Sequence, residues 1–370
     1  MAIDELVAIS RRYGSNPEYV LAGGGNTSFK NESFLFVKAS GFPLATIATD
    51  GFVQMERRKL AEIWSANYPT ERGSREAGAL RDLMDARSVG EEAKRPSVET
   101  LVHEAFETAY VVHTHPALVN GLTCSHGGRE RAVELFGNRV LWIAMIDPGY
   151  MLATSLRAAL SEYVALHRKE PEFVLLQNHG IFVSADEPAV IDRIYDEVFD
   201  ALNATTTADP DLTPIPGRKT ELVERALLRV KARGTSISFV ANSALDGFIS
   251  DSDRFAPLSS AYTPDHIVYA GHRPLYYEGD PDDSEALQNA VAGHEAATGR
   301  EVKVVAVKGL GAFGIGSNTK SAETALTLFL DALKIAVYAK SHGGAQFLAD
   351  DMTQFILDWE VEKYRMEALR

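Results

Sequence analysis

Val111-Val112-His113-Thr114-His115-Pro116 is an apolar run of strand length that ends on two histidines two positions apart. Alternate side chains of a strand leave the same face, so both imidazoles can converge on one ion. A second apolar run, residues 173–177, closes in Gln177-Asn178-His179-Gly180, where Gly180 lets the backbone reverse and a third imidazole is presented. Three neutral imidazoles leave a cation with open positions, the arrangement of a catalytic rather than a structural site. The plain alternative is a set of buried, hydrogen-bonded core histidines.

The surrounding pattern is mixed. Residues 3–10 begin a short amphipathic helix, and residues 19–21 and 33–37 alternate as strands around a glycine turn. Ser97 can cap a helix on which Val98, Leu101, Val102, Ala105, Phe106 and Ala109 recur at three- and four-residue steps, with Glu99 and His103 on an adjoining face. Residues 188–204 again carry a helical period. At residues 203–217 (NATTTADPDLTPIPG) prolines, threonines and aspartates interrupt every period, which marks a domain junction. Beyond it the pattern gives helices at 221–233, 284–298, 321–341 and 349–368, and strands at 236–240, 266–269 and 302–307, the last followed by a glycine-rich turn. No internal repeat or low-complexity tract stands out. The expected organisation is an α/β domain over residues 1–205, a linker over 206–217, and a smaller α/β domain over 218–370.

Composition narrows the function. A chain of 370 residues exceeds the size at which one core usually stops growing, and 45% apolar residues supply two. The formal charge of −14 argues against a nucleic-acid partner, because binding a polyanion relies on clustered Lys and Arg. The single cysteine, Cys124, excludes an intrachain disulfide or a thiolate cluster, so a metal must use nitrogen and oxygen ligands. No segment reads as a membrane span. Met1-Ala2-Ile3-Asp4-Glu5-Leu6 places acids where a secretory signal carries positive charge, so a cytoplasmic location is expected.

Gly24-Gly25-Asn26-Thr27-Ser28, Lys38-Ala39-Ser40-Gly41, Pro96-Ser97-Val98-Glu99, His113-Thr114-His115-Pro116 and Asn178-His179-Gly180, in this order and spacing, resemble the class II aldolase/adducin superfamily over residues 3–205. The resemblance implies a class II aldolase-type α/β/α layered fold and a homotetramer with sites at subunit interfaces. It implies that His113, His115 and His179 ligate zinc or another first-row ion such as manganese, and that Glu99 ligates the resting ion and serves as acid/base. Without those motifs Glu99 reads as a first-turn glutamate favoured by the helix dipole. The implied reaction is retro-aldol cleavage of a ketose phosphate to dihydroxyacetone phosphate and an aldehyde. A sugar-phosphate 4-epimerase uses the same step, but its usual metal carboxylate is aspartate. An adducin-like interaction module has the fold without the metal, and retention of all three histidines argues against it.

Gly25, Asn26, Ser40, Gly41 and Ser97 match the family's phosphate-binding positions, and the glycines let backbone N–H groups approach an anion. Two departures narrow the match. Val98 stands where fuculose-phosphate aldolase has a second serine, and Trp142-Ile143-Ala144-Met145 lacks the tyrosine that protonates the leaving alkoxide there. Tyr150 is the nearest candidate for that acid, set against ordinary packing. The second half, including Thr263-Pro264-Asp265-His266 and Gly309-Leu310-Gly311, resembles the middle segment of bifunctional rhamnulose-phosphate aldolase/dehydrogenases. Gly309-x-Gly311-x-x-Gly314 superficially matches a dinucleotide fingerprint, but no helix opens on the glycines, so no NAD(P) is expected and a glycine hairpin is the simpler account. His266, Asp265 and Lys308 are assigned a structural role.

Overall fold

Apolar runs buried at every residue form the central strands, and amphipathic helices pack over them. The computed structural model describes residues 2–359, which divide into two compact units: residues 2–123 with 127–205, and residues 124–126 with 206 onward.

The first unit runs α1 (Ala2–Gly14), β1 (Asn26–Lys30), β2 (Phe34–Lys38), β3 (Phe52–Glu56), α2 (Arg57–Ile63), α3 (Arg72–Asp85), α4 (Thr100–Ala105) and β4 (Tyr110–Thr114). It continues through α5 (Ala117–Thr123), α6 (Gly128–Phe136), β5 (Val140–Ile143), α7 (Tyr150–His167), β6 (Phe173–Leu176), β7 (Gly180–Ala185) and α8 (Pro188–Asn203). The seven strands lie in the order β3-β2-β1-β4-β7-β6-β5, antiparallel except for the β5–β6 pair. The register sets Asn26 of β1 opposite His113 of β4, and His113 opposite Phe182 of β7. The sheet thereby brings three segments distant in sequence to one place. A core of Leu35, Val37, Val53, Met55, Val102, Val111 and Val174, all fully buried, holds the helices of α4 and α7 against it.

The second unit runs α9 (Glu221–Val230), β8 (Ser236–Val240), α10 (Ser243–Phe248), α11 (Ser252–Phe255), β9 (Leu275–Tyr277), α12 (Ser284–Thr298), β10 (Val304–Val307), β11 (Gly311–Gly316), α13 (Thr319–Ala339) and α14 (Asp350–Asp358). Its sheet order is β8-β11-β10-β9. The glycine-rich stretch is a β10–β11 hairpin, with Val307 paired to Gly311.

Four local expectations change. Residues 19–21 form turns, because Tyr19 and Val20 both donate to the Asn16 carbonyl. The helix expected from Ser97 starts only at Thr100, since Ser97 N–H is tied to the Lys38 carbonyl, and it ends where the Lys30 ammonium takes the carbonyls of His103 and Phe106. Residues 266–269 are not a strand: His266–Ala270 is a π-helical turn. All five of its residues are buried, so the apolar run had no alternation to separate strand from helix. The helix expected at 221–233 ends at Val230, while the glycine stretch forms the expected hairpin and continues as strand β11. The helix expected at 349–368 is present as α14, and its part beyond 359 lies outside the described residues. No helix among the described residues is long and apolar enough to cross a membrane. His266 Nδ1 accepts the Thr263 N–H and its Nε2 donates to Asp331 at 3.1 Å, whereas Lys308 pairs with Glu278 at 3.4 Å, so these residues serve separate contacts.

Candidate metal centre

β4 delivers His113 and, one residue past its end, His115. The His113 ring is fully buried and stacks on Phe182 at 3.8 Å, and its Nδ1 donates to the Ile181 carbonyl at 2.9 Å. That bond fixes the tautomer, leaving Nε2 with a bare lone pair. Nε2 of His115 lies 2.8 Å from it. His179 enters from the β6–β7 turn, where Asn178 adopts φ 56° and the His179 N–H closes onto the Leu176 carbonyl. Gly180 is required there: a Cβ would stand 2.4 Å from the Thr114 carbonyl oxygen and 2.8 Å from the His115 ring. One nitrogen from each histidine lies within 4.8 Å of the others.

Glu99, immediately before α4, completes the cluster. Its Oε1 is 3.4 Å from His113 Nε2 and 3.3 Å from His179 Nε2, is buried, and accepts no hydrogen bond. A tetrahedral ion with ligands at about 2.0–2.1 Å has ligand–ligand edges of about 3.3–3.4 Å, which the two Glu99–histidine separations match, while the 2.8 Å between His113 and His115 would open on binding an ion. With the His113 Nε2 lone pair fixed, the His115 Nε2–H donates to it across 2.8 Å, so one proton fills the place that a shared cation would take. Burial drives the His113 imidazole well below its ordinary value and keeps it neutral. Burial opposes ionisation of Glu99 and the hydrogen bond from the Asn26 amide favours it; the histidines would lower the carboxyl further only as cations, which the burial of His113 disfavours.

The other carboxylate oxygen is anchored by a directed chain of hydrogen bonds. Asn26 Nδ2 donates to Glu99 Oε2 at 2.5 Å, and the Asn26 carbonyl oxygen meets His103 Nε2. Ser28 Oγ lies 2.7 Å from His103 Nδ1. A carboxylate only accepts, so each link has one allowed sense: Ser28 O–H to His103 Nδ1, His103 Nε2–H to Asn26, and Asn26 N–H to Glu99. Burial lowers His103 to about 3, so the ring is neutral as the chain demands. Ser28 and His103 were missed as partners because the β1–β4 register that joins them is not local. The one sequence signal was the spacing of Glu99 and His103 along one helical stretch. Replacing His103 with Leu should weaken zinc binding about 10- to 100-fold in calorimetric titration, while His103→Gln, which keeps an N–H near the Nε2 position, should recover most of it.

The remaining expected residues fall in two places. Ala39 bridges to Pro96, which sets Ser40 and Gly41 beside Ser97. Ser97 Oγ accepts the Glu99 N–H at 3.2 Å, and Gly41, at φ 89°, faces open space. Gly25, at φ 65°, packs against the His113 carbonyl, which a Cβ would meet at 2.8 Å. Asn26 spends both ends of its side chain on Glu99 and His103 rather than facing outward. Tyr150 starts α7, with its N–H on Glu76 Oε2 at 2.8 Å and its ring edge-on to Tyr68 at 4.8 Å. Partial burial, then Glu76, raises its phenol above the ordinary value.

Over 98% of its length the chain is 23% identical to a Bacillus subtilis (strain 168) protein named uncharacterized oxidoreductase YuxG, and it spans 58% of that relative's length. Among solved structures it is similar to the N-terminal class II aldolase domain of a conserved protein from Thermoplasma acidophilum, with 26% identity, a TM-score of 0.46, and coverage of 55% of this chain and 93% of that one. It is also similar to L-fuculose-1-phosphate aldolase from Thermus thermophilus, with 16% identity, a TM-score of 0.34, and coverage of 54% and 92%. Residues 4–190, half of the chain and the segment that carries every residue of the cluster, match the class II aldolase and adducin N-terminal domain, and the chain belongs to that family.

Proposed function

We propose that this protein is a metal-dependent aldolase that cleaves a ketose phosphate into dihydroxyacetone phosphate and an aldehyde. The observation that carries the reading is Glu99 Oε1, a buried carboxylate oxygen with no hydrogen bond, aimed at the nitrogens of His113 and His179. His113, His115, His179 and Glu99 would hold a divalent ion, zinc being the best fit to imidazole and carboxylate donors at this spacing. Bound there, the ion supplies Lewis-acid stabilisation of the charge that carbon–carbon cleavage leaves on the ketose.

This chain's residues do the rest. Glu99 would ligate the resting ion and, once substrate displaces it, take the proton on Oε1, the oxygen not clamped by Asn26, so the transfer happens beside the imidazoles. Phe182 and the buried β4 residues exclude water from behind the His113 ring. The Ser40, Gly41 and Ser97 patch, within a few residues of Glu99 along the chain or across the Ala39–Pro96 bridge, is the place for the substrate phosphate. Asn26 contributes by holding Glu99, and Val98 offers no hydroxyl to that patch. A homotetrameric assembly and a cytoplasmic location are part of the same proposal.

The test is a screen of ketose 1-phosphates for release of dihydroxyacetone phosphate by metal-loaded protein, with each unphosphorylated ketose run as a competitor. Release from at least one, inhibited better by phosphorylated than by free sugars, is the expected result. Epimerised sugar with no release would move the assignment to a 4-epimerase, and equal inhibition by sugar and sugar phosphate would remove the phosphate patch.

A further inference from the structure

The second unit repeats the strands and most of the helices of the half of the first that carries the histidines, with the four-residue α11 standing where the first has α6. Strands β10 and β11 and helix α13 begin at Val304, Gly311 and Thr319, each 131 residues after the starts of β6, β7 and α8 at Phe173, Gly180 and Pro188, and the two strand pairs have the same lengths. Strand β8 and helix α10 begin at Ser236 and Ser243, each 126 residues after β4 and α5 at Tyr110 and Ala117. Helix α12 begins at Ser284 between β9 and β10, as α7 begins at Tyr150 between β5 and β6. Strand order β4-β7-β6-β5 recurs as β8-β11-β10-β9, with the same two antiparallel pairs and the same parallel pair.

The likeness extends to single bonds. Thr114 pairs with Ile181 in β4–β7, and Val240 with Ala312 in β8–β11. The turn that presents His179 is closed by His179 N–H on Leu176, and its counterpart by Leu310 N–H on Val307. Gln177 N–H reaches Ile143 at the end of β5, and Lys308 N–H reaches Tyr277 at the end of β9. Asn178 and Gly309 both take the left-handed conformation, at φ 56° and 65°. A Cβ on Gly311 would meet the Val240 carbonyl at 2.5 Å, just as one on Gly180 would meet the Thr114 carbonyl at 2.4 Å. Packing rules alone fix helix and strand directions, not a shared set of turn bonds, register and a glycine against the same carbonyl.

In this correspondence His113 falls on Phe239, His115 on Ala241 and His179 on Leu310. The ring at 239 packs on Phe313 at 4.9 Å, as the ring at 113 packs on Phe182. Ala241 and Leu310 are 9% and 8% exposed, and Arg218 crosses beside them to the Gly309 carbonyl and to Asp246.

We propose that the second unit is a duplicate of the histidine-bearing half of the first, and that Phe239, Ala241 and Leu310 mark a latent site for a first-row divalent cation. Its backbone cradle is kept and its three imidazole positions hold apolar side chains. The identification of the ligand positions rests on the reading of His113, His115 and His179 as metal ligands. The duplication also explains Gly309-x-Gly311-x-x-Gly314: these glycines are the counterpart of the Asn178-His179-Gly180 turn and its following strand, and β11 occupies the place where a dinucleotide fold needs a helix.

The test restores the imidazoles. Metal-stripped Phe239→His/Ala241→His/Leu310→His protein is titrated with Zn2+ by calorimetry beside its parent, and one additional equivalent per chain is expected. A control with Ser238→His/Val240→His/Leu310→His turns two of the imidazoles to the opposite sheet face and should add none. A variant with native circular dichroism that gains no ion, or a control that gains as much, overturns the proposal. Should the triple variant not fold, Ala241→His/Leu310→His keeps the Phe239–Phe313 packing and is titrated in its place; gain of a weaker equivalent supports the latent site and no gain overturns it. Because the readout is the difference from the parent, a parent that binds no zinc counts against the metal reading of the first unit separately.

Discussion

Glu99→Gln protein should keep its ion and turn over at least about a hundredfold more slowly, within the hundred- to ten-thousandfold range of a positioned acid/base group. The hydrogen-bond chain makes the reasoning specific. Asn26 presents an N–H to residue 99, so the oxygen of the substituted amide turns toward Asn26 and its NH2 turns toward the imidazoles. The ion then loses its oxygen ligand but keeps three nitrogens, which suffices for binding at saturating zinc. The amide cannot accept the substrate proton at neutral pH. Glu107→Gln, an exposed glutamate just beyond α4, is the control and should be nearly silent. Wild-type rates in metal-loaded Glu99→Gln protein would return Glu99 to a purely electrostatic role at the start of α4.

The second large effect falls on the ion. In His115→Ala protein two imidazoles and the carboxylate remain, and zinc affinity should fall by more than about a hundredfold, beyond what loss of an outer hydrogen-bond partner produces. His115 is the informative position because its ring is not the one packed into the core: His113 stacks on Phe182 and is fully buried, so truncating it would also open a cavity. Metal content by plasma mass spectrometry after dialysis, with circular dichroism as the folding control, reads the change. Full retention of metal in His115→Ala protein would remove His115 from the ligand set.

The parts legible in the sequence are those fixed within a few residues of chain. The two-residue step in His113-Thr114-His115 and the turn at Asn178-His179-Gly180 are local geometry, and the structure places their three rings together. The β8 and α12 ranges are legible in the residues, because 236–239 alternates between polar and apolar and Asp283 stands just before 284–298, its side chain accepting the Ala286 N–H. The illegible parts depend on register or burial. That Asn26 faces Glu99 and His103 is decided by β1 lying beside β4 with Asn26 opposite His113, which no local pattern states. The π-helical turn at His266–Ala270 is apolar and buried all round, so periodicity carried no signal. The repeat escaped detection because its two copies share backbone geometry while the residues that would advertise it, the three histidines, are Phe239, Ala241 and Leu310 in the second copy. Conformational positions kept their character, with Gly311 answering Gly180 and Gly309 answering Asn178, and so did one core ring, with Phe313 answering Phe182.

The measurement that bears most directly on the whole account is calorimetric titration of metal-stripped wild-type protein with Zn2+. Three histidine nitrogens within 4.8 Å of one another, with a buried carboxylate oxygen without a hydrogen bond 3.4 Å and 3.3 Å from two of them, predict saturable binding of one ion per chain. A titration with no saturable uptake would contradict the metal centre and the aldolase reading built on it.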